Sequence, residues 1–134
     1  MTYLELDPFD LPDWLGEGPV AWATDVGLDG HLVPGWLTGS GEERLACDLL
    51  AVDQAYPAPV LDDAVRTRVH QTWRHGQVLL LSDQGRATVA APGTSWTADG
   101  VLDAFTRVAR AVGSDPARWS VRLGLAARDQ RRRP

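Results

Sequence analysis

The chain holds no lysine, no isoleucine and no asparagine in 134 residues. All three are specified by AT-rich codons, so their joint absence points to a GC-rich bacterial genome. The 13 basic residues are therefore all arginine for a reason unrelated to phosphate recognition, although a guanidinium would suit that chemistry. Cysteine is also scarce. Cys47 is alone, which excludes an internal disulfide and fits a reducing compartment. Long apolar runs are missing: the longest aliphatic stretches, 49–52 and 78–81, have four residues each, whereas a membrane span needs about 20. The opening MTYLELDPFD has no basic start and no apolar core, so no secretory leader is expected. These absences predict a cytoplasmic protein with no membrane partner.

Signature motifs are absent too. Neither G-x-G-x-x-G nor G-x-x-x-x-G-K-[ST] occurs, so no phosphate-cradling loop is predicted. Around Ser40 a nucleophile elbow would need glycine at the positions of Thr38 and Glu42. His70 and His75 are five apart, about 140° around a helix, whereas helical zinc pairs sit at i, i+4. With no second cysteine to complete a site, no metal and no cofactor are expected. Asp25 and Asp29 flank a turn without the ligand series of a calcium loop.

Charge narrows the partners further. The net charge is −5, and residues 128–134 alone carry four Arg and one Asp. The preceding 127 residues hold nine Arg against 17 acids. Such a body repels polyphosphate, so no nucleic-acid footprint is expected.

What is present suits one domain, large enough to bury about two-thirds of its unfolded surface without staples. Residues 1–17 form an acidic aromatic arm, 18–127 a single domain, and 128–134 an Arg-rich tail read as disordered. Three prolines and two glycines within residues 7–19 oppose long regular structure there. Its Phe9, Leu11, Trp14 and Leu15 should nevertheless dock on something apolar, since leaving each in water forfeits about 1.5–3 kcal/mol. Arg66, Arg68 and Arg74 are candidate partners for the arm's acids.

Strands are predicted over 20–26, 31–38, 44–53, 77–82, 86–91 and 119–125. Asp29-Gly30 reads as a hairpin signal, and Pro34 argues for an edge position or a bulge. A first helix is predicted over 61–75, with an apolar seam of Leu61, Val65, Val69 and Trp73 and a favourable Asp62–Arg66 spacing. A second spans 98–112, with Val101, Leu102, Phe105, Val108, Ala109 and Val112 as its stripe and Thr97 as N-cap. The expected fold is α+β: about six strands in the order βββαββαβ, a mainly antiparallel sheet, and both amphipathic helices on one face.

Candidate chemistry is thin. RTRVHQTWRHG, residues 66–76, puts Arg66, His70 and Arg74 at i, i+4, i+8, a face that could hold a small acidic ligand or simply be solvated. Cys47 with His31 or His70 is the least poor catalytic set, yet a cysteine in an apolar strand usually behaves as an inert hydrophobe. Six tryptophans are many for this length. Trp73 and Trp119 have core explanations, whereas Trp14, Trp36 and Trp96 are candidate binding residues, since buried indoles favour interfaces. The reading that results is a non-catalytic binding or protein-interaction domain, self-associating or docking another protein.

Overall fold

Two segments are apolar on both sides, and they form the centre of the sheet. The structure, a computed structural model, describes residues 3–28, 30–53 and 61–123. In RLACDLLAV (β5, Arg44–Val52) the last six residues are all buried, and in RATVAAP (β7, Arg86–Pro92) the middle five are. They pair in parallel, Cys47 opposite Ala87 through Val52 opposite Pro92. Near-continuous apolar runs of this kind are the mark of strands covered on both faces.

The remaining strands add outward. LLLSD (β6, Leu79–Asp83) joins β7 through a two-residue turn in which Gln84 (φ 53) and Gly85 (φ 78) are both left-handed, as a primed hairpin turn requires. The arm supplies β1 (Leu4–Glu5), which covers the outside of β6. On the other side of β5 lie β3 (Leu32–Val33), β4 (Trp36–Gly39), β2 (Val20–Thr24) and finally β8 (Trp119–Leu123), parallel to β2. The spatial order is β1-β6-β7-β5-β4-β2-β8, with β3 beside β5.

Among the described residues the sheet is thus mixed and eight-stranded, not mainly antiparallel with about six strands. The β6–β7 hairpin docks with its second strand inward, so β7 meets β5 in parallel. The arm also contains more regular structure than its prolines suggest: β1, a 3-10 turn at Pro8–Asp10 and the short helix α1 (Trp14–Glu17). The predicted second strand is cut in two at Pro34 and Gly35. No bulge occurs there, because Leu32 faces Leu50 and Trp36 faces Ala46 in one unbroken register. Antiparallel residues point alternately to either side. Gly35 bonds toward β5, its carbonyl accepting from Cys47 N–H at 2.9 Å, so the nitrogen of Pro34 faces away and no bond to β5 is lost. Asp29 of the predicted hairpin lies outside the described residues.

The helices lie on opposite faces, not on one. Along β5, Leu49 and Ala51 join the cluster under α3 (Ala98–Ala111), whereas Leu50 and Val52 join the cluster under α2 (Asp63–Arg74). A strand's side chains alternate between faces, so these two clusters are the two sides of the sheet. The first cluster is the larger, with Val101, Ala104, Phe105 and Val108 of α3 over Trp22, Leu37, Leu49 and Val89. Leu102 was expected in this contact and is 54% exposed, because it sits on the flank of the stripe. Ala104 takes its place. Thr97 caps α3 by accepting from Gly100 N–H at 3.1 Å.

On the other face Leu61, Val65 and Val69 pack toward Leu50, Leu79 and Leu81, and Trp73 reaches the first cluster instead. Asp62 is the N-cap of α2 and accepts from Val65 N–H. Arg66 therefore pairs with Asp63 rather than with Asp62. The arm closes one end of the larger core: Leu15 is fully buried, and Leu6, Leu11 and Trp14 pack beside it. Its Glu5 pairs with Arg68 of α2 in the same chain. Both groups are about half exposed, so Arg68→Ala is expected to lower stability by less than about 1 kcal/mol in urea titration. Among the described residues no helix is long and apolar enough to cross a membrane.

Candidate functional site

Because α2 packs on β6 and β7, it covers only half of its face. Across β4, β2 and β8 that face carries no helix among the described residues. Register puts two rows of side chains there. One runs Ser120, Ala21, Thr38, Arg44; the other runs Arg122, Ala23, Trp36, Ala46. The two alanines of β2 form a low floor between larger neighbours, and the result is a groove of about 470 Å³. Trp36 is its one aromatic wall. The Arg44 guanidinium lies over this indole, 4.8 Å from the ring centroid, which holds the ring and the charge together. Arg122 stands on the opposite wall, on the sheet's last strand. Among the described residues no carboxylate lines the groove. In a chain of net charge −5, this face is cationic.

The polar centre of the sheet has a different role. Trp22 is fully buried, and its indole N–H donates to the Cys47 carbonyl at 2.8 Å. In a regular ladder Gly35 N–H would take that carbonyl. Here Gly35 N–H donates to Asp48 Oδ1 at 3.2 Å. Arg86 then clamps the Asp48 carboxylate, with Nε 3.1 and 3.0 Å from its two oxygens, while one terminal NH₂ donates to the Gly35 carbonyl at 2.9 Å. The hydrogen bond to Asp48 holds the Arg86 pKa above its ordinary value. Every group in this knot is satisfied within the chain, which is the pattern of a structural network.

Cys47 adjoins the knot and is 2% exposed. Burial, then the Asp48 carboxylate, push its thiol up to about 12, against a smaller opposing pull from Arg86. Its charged neighbours are Asp48 and Arg86. A nucleophilic cysteine needs the reverse shift. Labelling of the native protein by a thiol reagent at neutral pH should be at least about a hundredfold slower than in denaturant. A linked effect follows in alkali. The folded thiol keeps its proton to about pH 12 while the unfolded one loses it near 9.0. The folded state therefore binds more protons in that window. This contribution to stability is intact below pH 9 and is lost as pH rises toward 12. Cys47→Ala should flatten that limb of the stability–pH curve.

The remaining candidates disperse. Arg66, His70 and Arg74 share a side of α2, but neither the open groove nor the larger cavity is lined by them. Arg66 is tied to Asp63, and Arg74 is exposed in the last turn. Arg66 Nε and His70 Nε2 are buried without a hydrogen-bond partner among the described residues. His31 is half-buried before β3, its carbonyl accepting from Ala51 N–H at 2.7 Å. Trp96 is buried in the larger cluster, and Trp14 lies against Gly39 on the covered face. Of the three candidate binding tryptophans, Trp36 alone stands on the open face.

The larger cavity, about 620 Å³, opens between the arm and the ends of α2 and α3. Of the charges on its rim, Glu5 and Arg68 neutralise one another, and Arg110 sits in the last turn of α3, where a cation suits the helix end. Among the described residues no group of three His, Cys, Asp or Glu is placed to hold a metal ion. Arg122, Thr38 and Ser120 were missed as site residues. For Ser120 and Arg122 the signal is the polar side of the alternating WSVRL strand, which shows solvent exposure but not which neighbours share it. No protein-family model, curated protein or solved structure matches the chain.

Proposed function

We propose that this chain is a non-catalytic protein-interaction domain that docks a protein partner on the open half of its sheet. The observation that carries this reading is the asymmetry of one face. Helix α2 covers β6 and β7, and the other half is left as a groove with a small-residue floor, a Trp36 wall braced by Arg44, and Arg122 opposite. A Trp and two Arg around a shallow concavity are the residue types that dominate binding energy at protein interfaces. The chemistry elsewhere supports a binding role over a catalytic one. The only thiol is buried and held protonated, and the Asp48 carboxylate beside it is occupied by Arg86 and a backbone amide.

A photo-crosslinking residue placed at Thr38, in the groove, should capture a defined protein in the native host. The same residue at Asp103, on the exposed flank of α3, should not. Capture at Thr38 should disappear with Trp36→Ala. Equal capture from both positions, or capture indifferent to Trp36, would sink the assignment of this face.

A further inference from the structure

We infer that the partner contributes an extended segment of alternating acidic and apolar residues, which adds as a strand to the outer edge of β8. The inference rests on the docking reading above and specifies its chemistry. Strand β8 is last in the sheet and pairs only with β2, so its outer row of N–H and C=O groups is unpaired among the described residues. Such an edge is a template for another strand unless it is guarded. Its five residues, Trp119–Leu123, contain no proline and run in unbroken register with Val20–Thr24; the one guard of the usual kind among them is the charge of Arg122, which repels a like-charged edge and not an acidic one.

The side chains on either side of that edge define what fits. Ser120 and Arg122 point to the open face and are exposed, whereas Trp119, Val121 and Leu123 alternate with them, half-buried against the larger core. An added strand presents alternate residues to these two sides. Acidic residues on one side would meet Arg122, with Arg44 beyond it across the groove. Apolar residues on the other side would extend the cover of Val121 and Leu123. This is strand addition with specificity set by alternate side chains.

Other occupants fit less well. The chain's own residues 128–134 carry four Arg and one Asp, the same sign as the groove. A nucleic acid would meet the acidic remainder of the chain. A second copy pairing all five residues of β8 antiparallel about Val121 would place the two Arg122 side chains on one face at the diagonal cross-strand spacing, where like charges disfavour pairing.

The test uses the full chain and short synthetic peptides, followed by NMR titration. A peptide alternating Val and Glu should bind saturably, shifting the amides of residues 119–123 and the Trp36 indole. Its Val/Lys counterpart should not bind. Arg122→Glu should weaken binding by about fivefold or more, and Arg122→Gln by less. Raised salt should weaken it as well. Arg122 is exposed, so both variants should keep the native amide spectrum. A strand at an edge uses only every second amide, so N-methylating one alternate set of peptide nitrogens should abolish binding and methylating the other should spare it.

Four results would overturn the inference: no saturable binding of the acidic peptide, equal loss or no loss with the two methylated sets, equal binding of a short single-stranded RNA, or a β8-mediated dimer that excludes the peptide. Any of these alongside Thr38-specific crosslinking to a protein would leave the docking face standing and remove only the acidic-strand mode. Loss of both would remove the face itself.

Discussion

Replacing Phe105 with alanine is expected to lower the free energy of unfolding by about 3–5 kcal/mol, the range for a fully buried aromatic truncated to a methyl. The side chain is 2% exposed, and its ring centroid lies 5.4 Å from Trp22 and 5.8 Å from Trp119. It is therefore the middle member of an aromatic chain joining α3 to β2 and β8. Its removal leaves a cavity between two large rigid rings that cannot collapse onto each other, which favours the upper part of the range. Leu102→Ala, one turn earlier on the exposed flank of the same helix, should change stability by no more than about 0.5 kcal/mol. Urea titration of both variants separates the two flanks. A loss below about 1 kcal/mol at Phe105 would mean that α3 does not pack as described.

Gly35→Ala is expected to destabilise by about 3 kcal/mol, at or beyond the upper end for overpacking. A Cβ at residue 35 would lie 2.5 Å from Trp22 Cζ2, 2.6 Å from Cε2 and 2.7 Å from the Ala23 carbonyl oxygen. Two of these atoms belong to a fully buried indole whose N–H is fixed on the Cys47 carbonyl, and the third is backbone. Nothing there can yield without breaking the polar knot. The mechanism can be checked by a double-mutant cycle with Trp22→Leu, which costs stability itself but opens the space a methyl needs. The double variant should be more stable than the sum of the single losses predicts, by at least about 1 kcal/mol. Additive losses would place the strain elsewhere.

The cationic groove shows how far local pattern reached. In β8, the alternation of Trp119, Val121 and Leu123 with Ser120 and Arg122 makes clear that one side is wet. Trp36 stood out as a tryptophan without a core explanation. Nothing local shows that these residues line one groove, because β8 and β4 are joined only through β2, and β8 reaches β2 by a crossover through α3. Trp14 and Trp96 looked similar in sequence and ended in or against the core, since an indole's neighbours come from distant segments.

The amino-acid sequence by itself determined the elements whose causes are local. Thr97 and the 3.6-residue apolar period define α3, Asp62 caps α2, and the turn at Gln84-Gly85 closes the β6–β7 hairpin. The burial of Cys47 also followed from its apolar run. Only the tertiary structure decided which strand of that hairpin meets β5, that the helices take opposite faces, and that half of one face stays open. The runs LACDLLAV and ATVAA were apolar on both sides, a local sign of central strands, yet a strand covered twice does not name its neighbours. Pairing partners and helix sides depend on contacts between residues far apart in the chain, and a one-dimensional pattern of polarity carries no term for them.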